Sequence, residues 1–403
     1  MGQLITALDI GSANIKGLVV EFRKDGIFSV INVFQLPSVG LRRGVIVDIE
    51  EVTSVFRSLI VDLQKISKKA VQNIFINLNS EQVKPRLSRG TAAVARADQE
   101  IQQDDVERAI QASRAVKLSA NSIILHNITR EFIVDDVGDI LDPVGMVGNR
   151  LEVSTLVIEA FAPHFNILTK TIERVGGKVA GVIFNPLAAS QSVLTKQQKE
   201  LGVLMIDFGF ATTSIAVYEE NKVLHVKSLP LGSINLTKDI AVGLRIPVEI
   251  AEKVKLSYGY ALAKDISRKE TFNLQEFDSS LKSEISKRFL AEIIEARLEE
   301  ILDLVNNELK PFGRLELPAG AVVVGGGAKL KGLVDLVRQE LKLTVQLGLP
   351  DLSRFEIVNP ANYELLDDPC FVTAVGLVLL GAERSEIKSV RKSIVDFFKN
   401  FFP

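Results

Sequence analysis

The sequence is poor in the residues that form disulfides and metal centres. Its 403 residues include one cysteine, Cys370, and three histidines, His126, His164 and His225. A single cysteine excludes an internal disulfide and a cysteine-based zinc site. The histidines are far apart without ligand spacing, and a lone histidine is more often structural than metal-binding. We therefore expect neither a disulfide framework nor metal catalysis by histidine.

The chain also lacks a charge excess and a long apolar segment. It has 48 Lys and Arg against 50 Asp and Glu, so no global field recruits nucleic acid, and no nucleic-acid partner is expected. The longest apolar run, from Cys370 to Ala382, is too short to span a bilayer, and its small residues suit a core helix. Without a secretory leader at its start, the chain is expected in the cytoplasm unless a peripheral element anchors it.

One strand–turn–strand pattern occurs near the N-terminus and again in the middle of the chain. In residues 6–20 and 204–218, an apolar strand ends at Asp9 or Asp207 and is followed by a turn rich in small and polar residues and a second strand. Small turn residues let backbone N–H groups approach an anion, as at phosphate sites. A tight turn after a buried strand explains either copy alone. The repetition predicts two similar lobes that hold phosphate between them.

Two further segments complete a nucleotide-site pattern. A β-branched strand from residue 321 leads into Gly325, Gly326 and Gly327, a turn that can approach a base and sugar. Glu252 and Lys255 are three apart on a predicted helix, so they share one face. A carboxylate suits ribose hydroxyls, and a lysine stem can lie over adenine. The alternatives are a flexible turn and a solvated ion pair.

These four segments, in this order, resemble the actin, hexokinase and Hsp70 ATPase superfamily. The resemblance implies an α/β, ribonuclease H-like fold of two lobes with ATP or ADP between them. Asp207 becomes the candidate catalytic residue, and Asp9 and Asp207 become candidate ligands of Mg²⁺ through water. The implied nucleotide-binding residues are Asp9, Gly11, Ser12, Ala13, Asn14, Lys16, Gly209, Thr212, Thr213, Glu252, Lys255, Gly325, Gly326, Gly327 and Ala328.

The last nineteen residues, 385–403, form an amphipathic pattern. Apolar residues recur at steps of three and four, basic residues fall largely elsewhere, and four phenylalanines lie among the last seven positions. This pattern is typical of a helix in a membrane interface, and the alternative is a core helix that closes the last domain. The predicted membrane-binding residues are Ile387, Val390, Arg391, Lys392, Ile394, Phe397, Phe398, Lys399, Phe401 and Phe402.

Between the two hairpins, residues 84–161 have a pattern of their own. We predict a strand near residues 91–95, a helix over 103–116, strands over 122–132 and 150–160, and a long surface loop over 135–149. Such a unit looks self-contained.

With this segment, the resemblance narrows to the FtsA family of bacterial cell-division proteins. It extends over essentially the whole chain, and the Asp-Pro-Val-Gly-Met stretch at 142–146 and the tail are its family-specific parts. The matching segments are 44–50, 131–136, 142–153, 185–189, 293–301, the triple-glycine turn and the tail.

The resemblance implies an actin-like fold with an inserted small α+β subdomain and a C-terminal amphipathic helix. It implies a filament of this chain that tethers FtsZ at the inner face of the cell membrane at the division site. The FtsZ C-terminal peptide would dock on an upper subdomain of the second lobe, and downstream division proteins on the insert. The implied domains are 1–83 with 162–200 (first lobe), 84–161 (insert), 201–232 with 318–383 (second lobe), 233–317 (upper subdomain) and 384–403 (membrane helix).

The second hairpin departs from the family pattern. The family usually has Asp-x-Gly-Gly-Gly-Thr-Thr-Asp, where this chain has Phe210, Ala211 and Ser214 in place of two glycines and the closing acid. A Cβ in such a turn restricts positive φ and holds N–H groups away from phosphate. Asp207 remains for a water-mediated Mg²⁺ contact. We expect ATP to bind and to turn over slowly or not at all.

Two alternative functions remain open at this stage. A type IV pilus adaptor of the PilM kind shares the lobes and a similar insert but lacks a terminal membrane helix. A kinase of the sugar-kinase type needs a general base that faces a substrate cleft, and family motifs place no acid there.

Overall fold

The computed structural model describes residues 2–312 and 317–389, apart from the side chains of residues 385–389. The strands are β1 (Gln3–Ile10), β2 (Asn14–Phe22), β3 (Phe28–Pro37), β4 (Leu41–Arg42), β5 (Val45–Ile46), β6 (Ile74–Leu78), β7 (Lys84–Ala93), β8 (Ser122–Val134), β9 (Val137–Ile140), β10 (Arg150–Phe161), β11 (Val179–Phe184), β12 (Val203–Phe208), β13 (Thr213–Glu219), β14 (Lys222–Leu229), β15 (Thr271–Asn273), β16 (Glu284–Ser286), β17 (Ala321–Val324), β18 (Val345–Leu347) and β19 (Phe355–Glu356). The α-helices are α1 (Ile49–Ile66), α2 (Gln103–Ser113), α3 (Ala162–Arg174), α4 (Asn185–Val193), α5 (Lys196–Leu201), α6 (Ser233–Leu244), α7 (Val248–Tyr258), α8 (Lys287–Leu309), α9 (Leu333–Leu341), α10 (Pro360–Leu366) and α11 (Val372–Ser389).

Two sheets share one construction. The first has the order β11-β6-β1-β2-β3-β19, and the second has the order β14-β13-β12-β17-β18. In each, a hairpin strand (β1 or β12) pairs antiparallel with the next strand and parallel with a later one (β6 or β17). One apolar cluster surrounds the first sheet and extends to one face of the second, and another cluster covers the opposite face of the second sheet. The doubled hairpin therefore begins two similar lobes, as the repetition predicts.

Helices α4 and α11 pack against each other between the two sheets, with α11 on β1 and β2 and α4 against β12 and β13. A Cβ added to Gly376 of α11 would lie only 1.7 Å from the carbonyl oxygen of Ala188 in α4. Glycine at this position lets the two backbones touch. The apolar run that the sequence assigns to a core helix is buried here, from Phe371 to Ala382 apart from partly buried Leu379.

The segment between the hairpins forms a sheet of its own, with the order β7-β10-β8-β9 and with α2 against it. We call this unit, from β7 to β10, the inserted sheet. Its small core includes Ile101, Val106 and Leu151. The predicted strand at 91–95 is the end of the longer β7, and the predicted helix stops at Ser113.

The prediction of one long loop over 135–149 is wrong, because this segment contains β9. Asp135 and Asp136 adopt positive φ values of 46° and 73°, which turns the chain tightly enough for Val137 to pair with Val134. Aspartate tolerates this left-handed region better than most residues.

The C-terminal tail is described only in part. Helix α11 continues to Ser389, so it includes Ile387, and the other predicted membrane-binding residues lie outside the described residues. In the part of the chain that the structure describes, no single helix is long and apolar enough to cross a bilayer. Two segments bent by 78°, Pro360–Leu366 and Pro369–Arg384, meet that test together by length and composition.

Candidate functional site

The two hairpin turns have matching geometry. Ile10 pairs with Ile15 to close the first turn, and Phe208 pairs with Thr213 to close the second. The Gly11 N–H donates to the Asn14 carbonyl at 3.1 Å, as the Gly209 N–H does to the Thr212 carbonyl at 3.0 Å. The sequence repeat is thus a structural repeat at atomic detail.

Both turns line one cavity of about 120 Å³ between the lobes. Most of the residues assigned to phosphate binding lie on it, together with Gly325 and Gly326. Thr213, Glu252, Lys255, Gly327 and Ala328 are not part of its wall. The lining residues are Asp9, Ile10, Gly11, Ser12, Ala13, Asn14, Lys16, Gly44, Asn77, Asn79, Asn185, Asp207, Gly209, Phe210, Ala211, Thr212, Gly325, Gly326, Cys370, Val372 and Thr373.

The two aspartates differ in the residue that faces them across the hairpin. Lys16 stands opposite Asp9 and forms an ion pair with it at 2.7 Å. Burial opposes the charge of Lys16, but Asp9 outweighs it, and the pKa of this ammonium group is raised. Ser214 stands opposite Asp207. Burial, reinforced by the negative charge of Asp9, raises the pKa of Asp207 to about 6.

An asparagine network, which the sequence did not reveal, connects the two aspartates. The Asn77 amide donates to Asp9 Oδ1 at 2.7 Å and to Asn185 Oδ1 at 2.8 Å. The Asn185 amide in turn donates to Asp207 Oδ2 at 2.6 Å. The available signal was polar residues at the end of buried strands: Asn77 lies in β6 and Asn185 directly follows β11.

A second asparagine spans the two lobes. Asn79, just after β6, donates to Thr212 Oγ1 of the second turn at 2.9 Å. Its Oδ1 accepts hydrogen bonds from Ser214 at 3.1 Å and Ser228 at 2.7 Å. Ser214, at the position where the family pattern has its closing acid, is fully buried and forms a hydrogen bond across the two lobes.

The expectation that Phe210 and Ala211 conflict with a positive φ in the second turn is wrong. Both residues are described, and neither adopts positive φ, so the turn tolerates a Cβ at these positions. The turn is held instead by the start of α6, where Ser233 N–H donates to the Gly209 carbonyl and Ile234 N–H to the Phe210 carbonyl. Phe210 and Ala211 still line the cavity, so their side chains occupy space that glycines would leave free.

The triple-glycine turn packs directly on the second hairpin. Gly325 has φ +86°, and a Cβ there would lie 2.1 Å from Asp207 Oδ1. A Cβ on Gly327 would lie 2.9 Å from the Phe208 carbonyl oxygen. These two positions need glycine, since the backbone passes within contact distance of the end of β12.

Glu252 and Lys255 form an ion pair on α7 in which Lys255 is buried and Glu252 is partly exposed, so the pair is not fully solvated. Lys255 is 6% exposed, and its Nζ donates to Glu252 Oε2 at 2.7 Å and to Thr237 Oγ1 at 2.8 Å. Burial is the main cause that lowers the pKa of Lys255. Lys255 also donates to the Ser233 carbonyl at 3.3 Å, beside the second turn. The pair thus lies next to the second hairpin turn and outside the cavity wall.

The residues present fit a magnesium ion with few protein ligands. The described residues contain no cluster of three or more His, Cys, Asp or Glu that could hold a metal. Mg²⁺ often keeps several waters and uses one or two carboxylates plus phosphate oxygens. Asp9 and Asp207 are both buried at one cavity, and burial, reinforced by the negative charge of Asp9, raises the pKa of Asp207, so a cation between them would be favourable.

Comparison with known proteins identifies the relatives of this chain. The family model "Cell division protein FtsA" matches residues 204–376, and "SHS2 domain inserted in FTSA" matches residues 82–159. The Bacillus subtilis cell division protein FtsA is 33% identical over 96% of this chain and 85% of its own length. The chain belongs to the FtsA family. FtsA of Pseudomonas aeruginosa is 32% identical over 95% of this chain and 90% of that protein, and FtsA of Escherichia coli K12 is 30% identical over 94% and 91%.

Solved structures confirm the actin-like fold. A PilM–PilN type IV pilus biogenesis complex superposes with TM-score 0.66 at 18% identity, over 94% of this chain and 98% of that chain. MreB5 of Spiroplasma citri bound to ADP gives 0.56 at 14% identity, over 97% and 99%. The likeness to PilM is therefore one of fold, whereas FtsA proteins share sequence over nearly the full length. This chain is a cell-division protein of the FtsA family.

Proposed function

We propose that this protein is an ATP-binding, actin-like scaffold that polymerises at the inner membrane face and tethers FtsZ there during division. The observation that carries the proposal is the convergence of both hairpin turns and the glycine turn on one cavity, in a chain of the FtsA family. Asp9, Gly11 to Asn14 and Lys16 would hold phosphates from one lobe, and Gly209 and Thr212 from the other. MreB5, which shares the fold, is described with ADP bound.

Nucleotide entry requires the lobes to open. The cavity of about 120 Å³ is smaller than the roughly 300–1,000 Å³ typical of ligand sites. Asn79 donates a hydrogen bond to Thr212 and accepts hydrogen bonds from Ser214 and Ser228, and these bonds hold the lobes together in the described state. ATP would separate them and then fix a new angle, as ligands do in hinge closure. That angle would set the shape that polymerises.

Mg²⁺ would be held through water by Asp9 and Asp207, where it would neutralise phosphate charge. Asn185 and Asn77 orient both carboxylates, so the ligand positions exist before nucleotide arrives. Hydrolysis is expected to be slow or absent, since Phe210 and Ala211 occupy wall positions where the family has glycine and Ser214 replaces its closing acid.

Calorimetric titration with ATP, with and without Mg²⁺, tests binding, and phosphate release tests turnover. We expect saturable binding that Mg²⁺ strengthens, with phosphate released more slowly than about one per minute, far below a usual turnover of about 1–10³ s⁻¹. Faster release contradicts slow turnover, and absence of saturable binding contradicts the nucleotide site.

The C-terminal helix would supply the membrane contact. Residues 384–403 carry five basic and two acidic side chains, so anionic lipid attracts them. Burying one phenylalanine contributes roughly 1.5–3 kcal/mol, and each basic residue near anionic lipid about 1 kcal/mol. After ordering costs, one tail binds weakly and reversibly. Many tails on one filament bind firmly, because linking sites raises the effective concentration.

FtsZ and later division proteins are the proposed partners. The FtsZ C-terminal peptide would dock on residues 233–317, and downstream proteins on the inserted sheet. A pull-down with an FtsZ tail peptide should retain this protein, whereas the N-terminal peptide of a pilus inner-membrane protein should not. Retention by the pilus peptide alone would favour a PilM-like role.

A further inference from the structure

A buried histidine of the inserted sheet bonds to the first lobe. His126 lies on β8 with its side chain fully buried, and its Nε2 accepts a hydrogen bond from the backbone N–H of Phe184 at 2.9 Å. A backbone N–H can only donate, so Nε2 must be the unprotonated ring nitrogen. The inserted sheet thus contributes a side chain to the backbone hydrogen bonding of the lobe that carries Asp9.

Phe184 is the corner at which β11 ends and α4 begins. β11 is an edge strand that pairs with β6 on one side, so its outward N–H groups need partners from elsewhere. Phe184 is the N-cap of α4, its side chain makes no capping bond, and Pro186 follows in the first turn. The hydrogen bond that the Phe184 N–H donates to His126 therefore fixes the backbone of this corner from the side away from β6.

Asn185, the next residue, is the link between the two aspartates. It accepts from Asn77 and Thr373, and it donates to Asp207 Oδ2 at 2.6 Å. A shift of the corner would move this amide relative to Asp207 and Asp9. A misplacement of about 1 Å in such a group is enough to change function substantially.

We propose that His126 is a positioning residue for Asn185, through which the placement of the inserted sheet sets the nucleotide affinity of the cleft. The inference rests on the proposed nucleotide binding and adds its regulation. Leu125 and Ile128, neighbours of His126 on β8, are buried in the first-lobe core, so β8 moves only with that packing.

The coupling acts in both directions. A partner that shifts β8 when it docks on the inserted sheet changes the affinity for nucleotide, and nucleotide changes the affinity for that partner by the same factor. The inserted sheet thereby becomes a place from which division proteins can regulate the cleft.

Three variants test the inference through the dissociation constant of a fluorescent ATP analogue. His126→Leu keeps bulk but cannot accept the Phe184 N–H, and it should weaken binding about fivefold or more. His126→Gln offers an amide oxygen as acceptor and should restore most of the affinity. Val134→Ala, the matched control at the far end of the same strand, lies in the separate core of the inserted sheet and should lower the melting temperature while changing the affinity by less than about twofold, since it leaves the His126 bond and the contact with the first lobe in place.

A double-mutant cycle locates the effect. If His126 acts through Asn185, His126→Leu should weaken binding little further in an Asn185→Ala background. Additive losses, an unchanged affinity in His126→Leu, or an equal loss in Val134→Ala would each overturn the inference. Failure of the wild-type chain to bind the analogue would instead overturn the proposed function.

Hydrogen exchange of the wild-type chain covers the case in which His126→Leu does not fold. ATP should slow exchange in peptides from residues 122–134 and 179–193 more than in peptides from residues 137–140, at the far edge of the inserted sheet. Equal slowing in all three, or none in the first two, contradicts the coupling.

Discussion

At the scale of residues, the two aspartates of the cleft are not equivalent. Asp9 has an ammonium partner, whereas Asp207 faces Ser214 and has its pKa raised to about 6. An ionised Asp207 is thus costly in the protein without ligand and becomes favourable when a cation binds. Such a site lowers the stability of the ligand-free protein and raises its affinity for a cation, a trade-off that is common at functional sites.

Replacing Asp207 by Asn should stabilise the ligand-free protein above pH 6. The folded-state pKa of about 6 exceeds the ordinary 3.8, so the folded chain binds more protons between those values and loses stability as pH rises through them. At about 1.4 kcal/mol per unit, the loss approaches 3 kcal/mol. Asp207→Asn removes this loss while its Oδ1 can still accept from Asn185.

Urea unfolding at pH 4 and pH 7.5 measures this difference. Asp207→Asn should exceed wild type by up to about 3 kcal/mol at pH 7.5 and by little at pH 4. Asp62→Asn, an exposed control on α1, should change the free energy of unfolding by under about 0.5 kcal/mol. A destabilised Asp207→Asn at pH 7.5 would contradict the unfavourable burial of that charge.

Residue chemistry limited what the sequence could predict of the site. Asp9, Asp207 and the glycines follow from local patterns, because each lies in a turn whose small residues are visible in a short window. Asn77 and Asn185 could not be assigned, since their partners lie 68 and 108 positions away across parallel strand pairings. The sequence also could not show that the second turn accepts Phe210, because hydrogen bonds from the start of α6 hold this turn.

At the scale of elements, the contact between α4 and α11 joins the packing of the first sheet to that of the second. Gly376→Ala would place a methyl group 1.7 Å from the Ala188 carbonyl oxygen, so the helices must separate. Overpacking of this kind costs about 1–3 kcal/mol, and we expect at least that loss in urea unfolding.

Gly243→Ala in α6 is the matched helix control for Gly376→Ala. Its Cβ would meet only the flexible end of Ile293, and alanine favours the helical conformation over glycine by up to about 1 kcal/mol, so in this last turn of α6 the variant should be no less stable than wild type. Unchanged stability of Gly376→Ala would contradict the close packing of the two helices.

The tail is a second element with a specific prediction. Exchanging Phe397, Phe398 and Phe401 for Ser should abolish pelleting with anionic liposomes without changing the melting temperature, since it removes the apolar face that we expect in the bilayer interface. The same positions changed to Leu should keep most of the pelleting. Unchanged pelleting of the Ser variant would refute the tail as membrane anchor.

Secondary structure was predictable from the sequence where the hydrophobic periodicity was strong. The prediction failed where the conformation of a turn decided which residues pair. The helix predicted over 103–116 is α2, which ends three residues earlier, and the helix predicted to carry Glu252 and Lys255 is α7. β9 was missed because its pairing depends on two aspartates with positive φ, which a polar sequence does not distinguish from a loop.

At the scale of the whole molecule, the duplicated hairpin determines the architecture and the insert adds regulation. Each copy begins a sheet with the same strand plan, and the cleft lies where the two plans meet. His126 connects the inserted sheet to Phe184, the neighbour of Asn185 in the cleft wall, and the inserted sheet also touches the second lobe, where Lys222 donates to Asp139 at 2.7 Å. Opening of the lobes must therefore change the surroundings of the insert.

Cosedimentation with anionic liposomes, in the presence of FtsZ, tests the central claim most directly. We predict that FtsZ pellets with liposomes only when this protein is present, and that ATP increases the amount, because a filament presents many tails at once. If FtsZ stays in the supernatant while this protein pellets with ATP, the tethering role is contradicted.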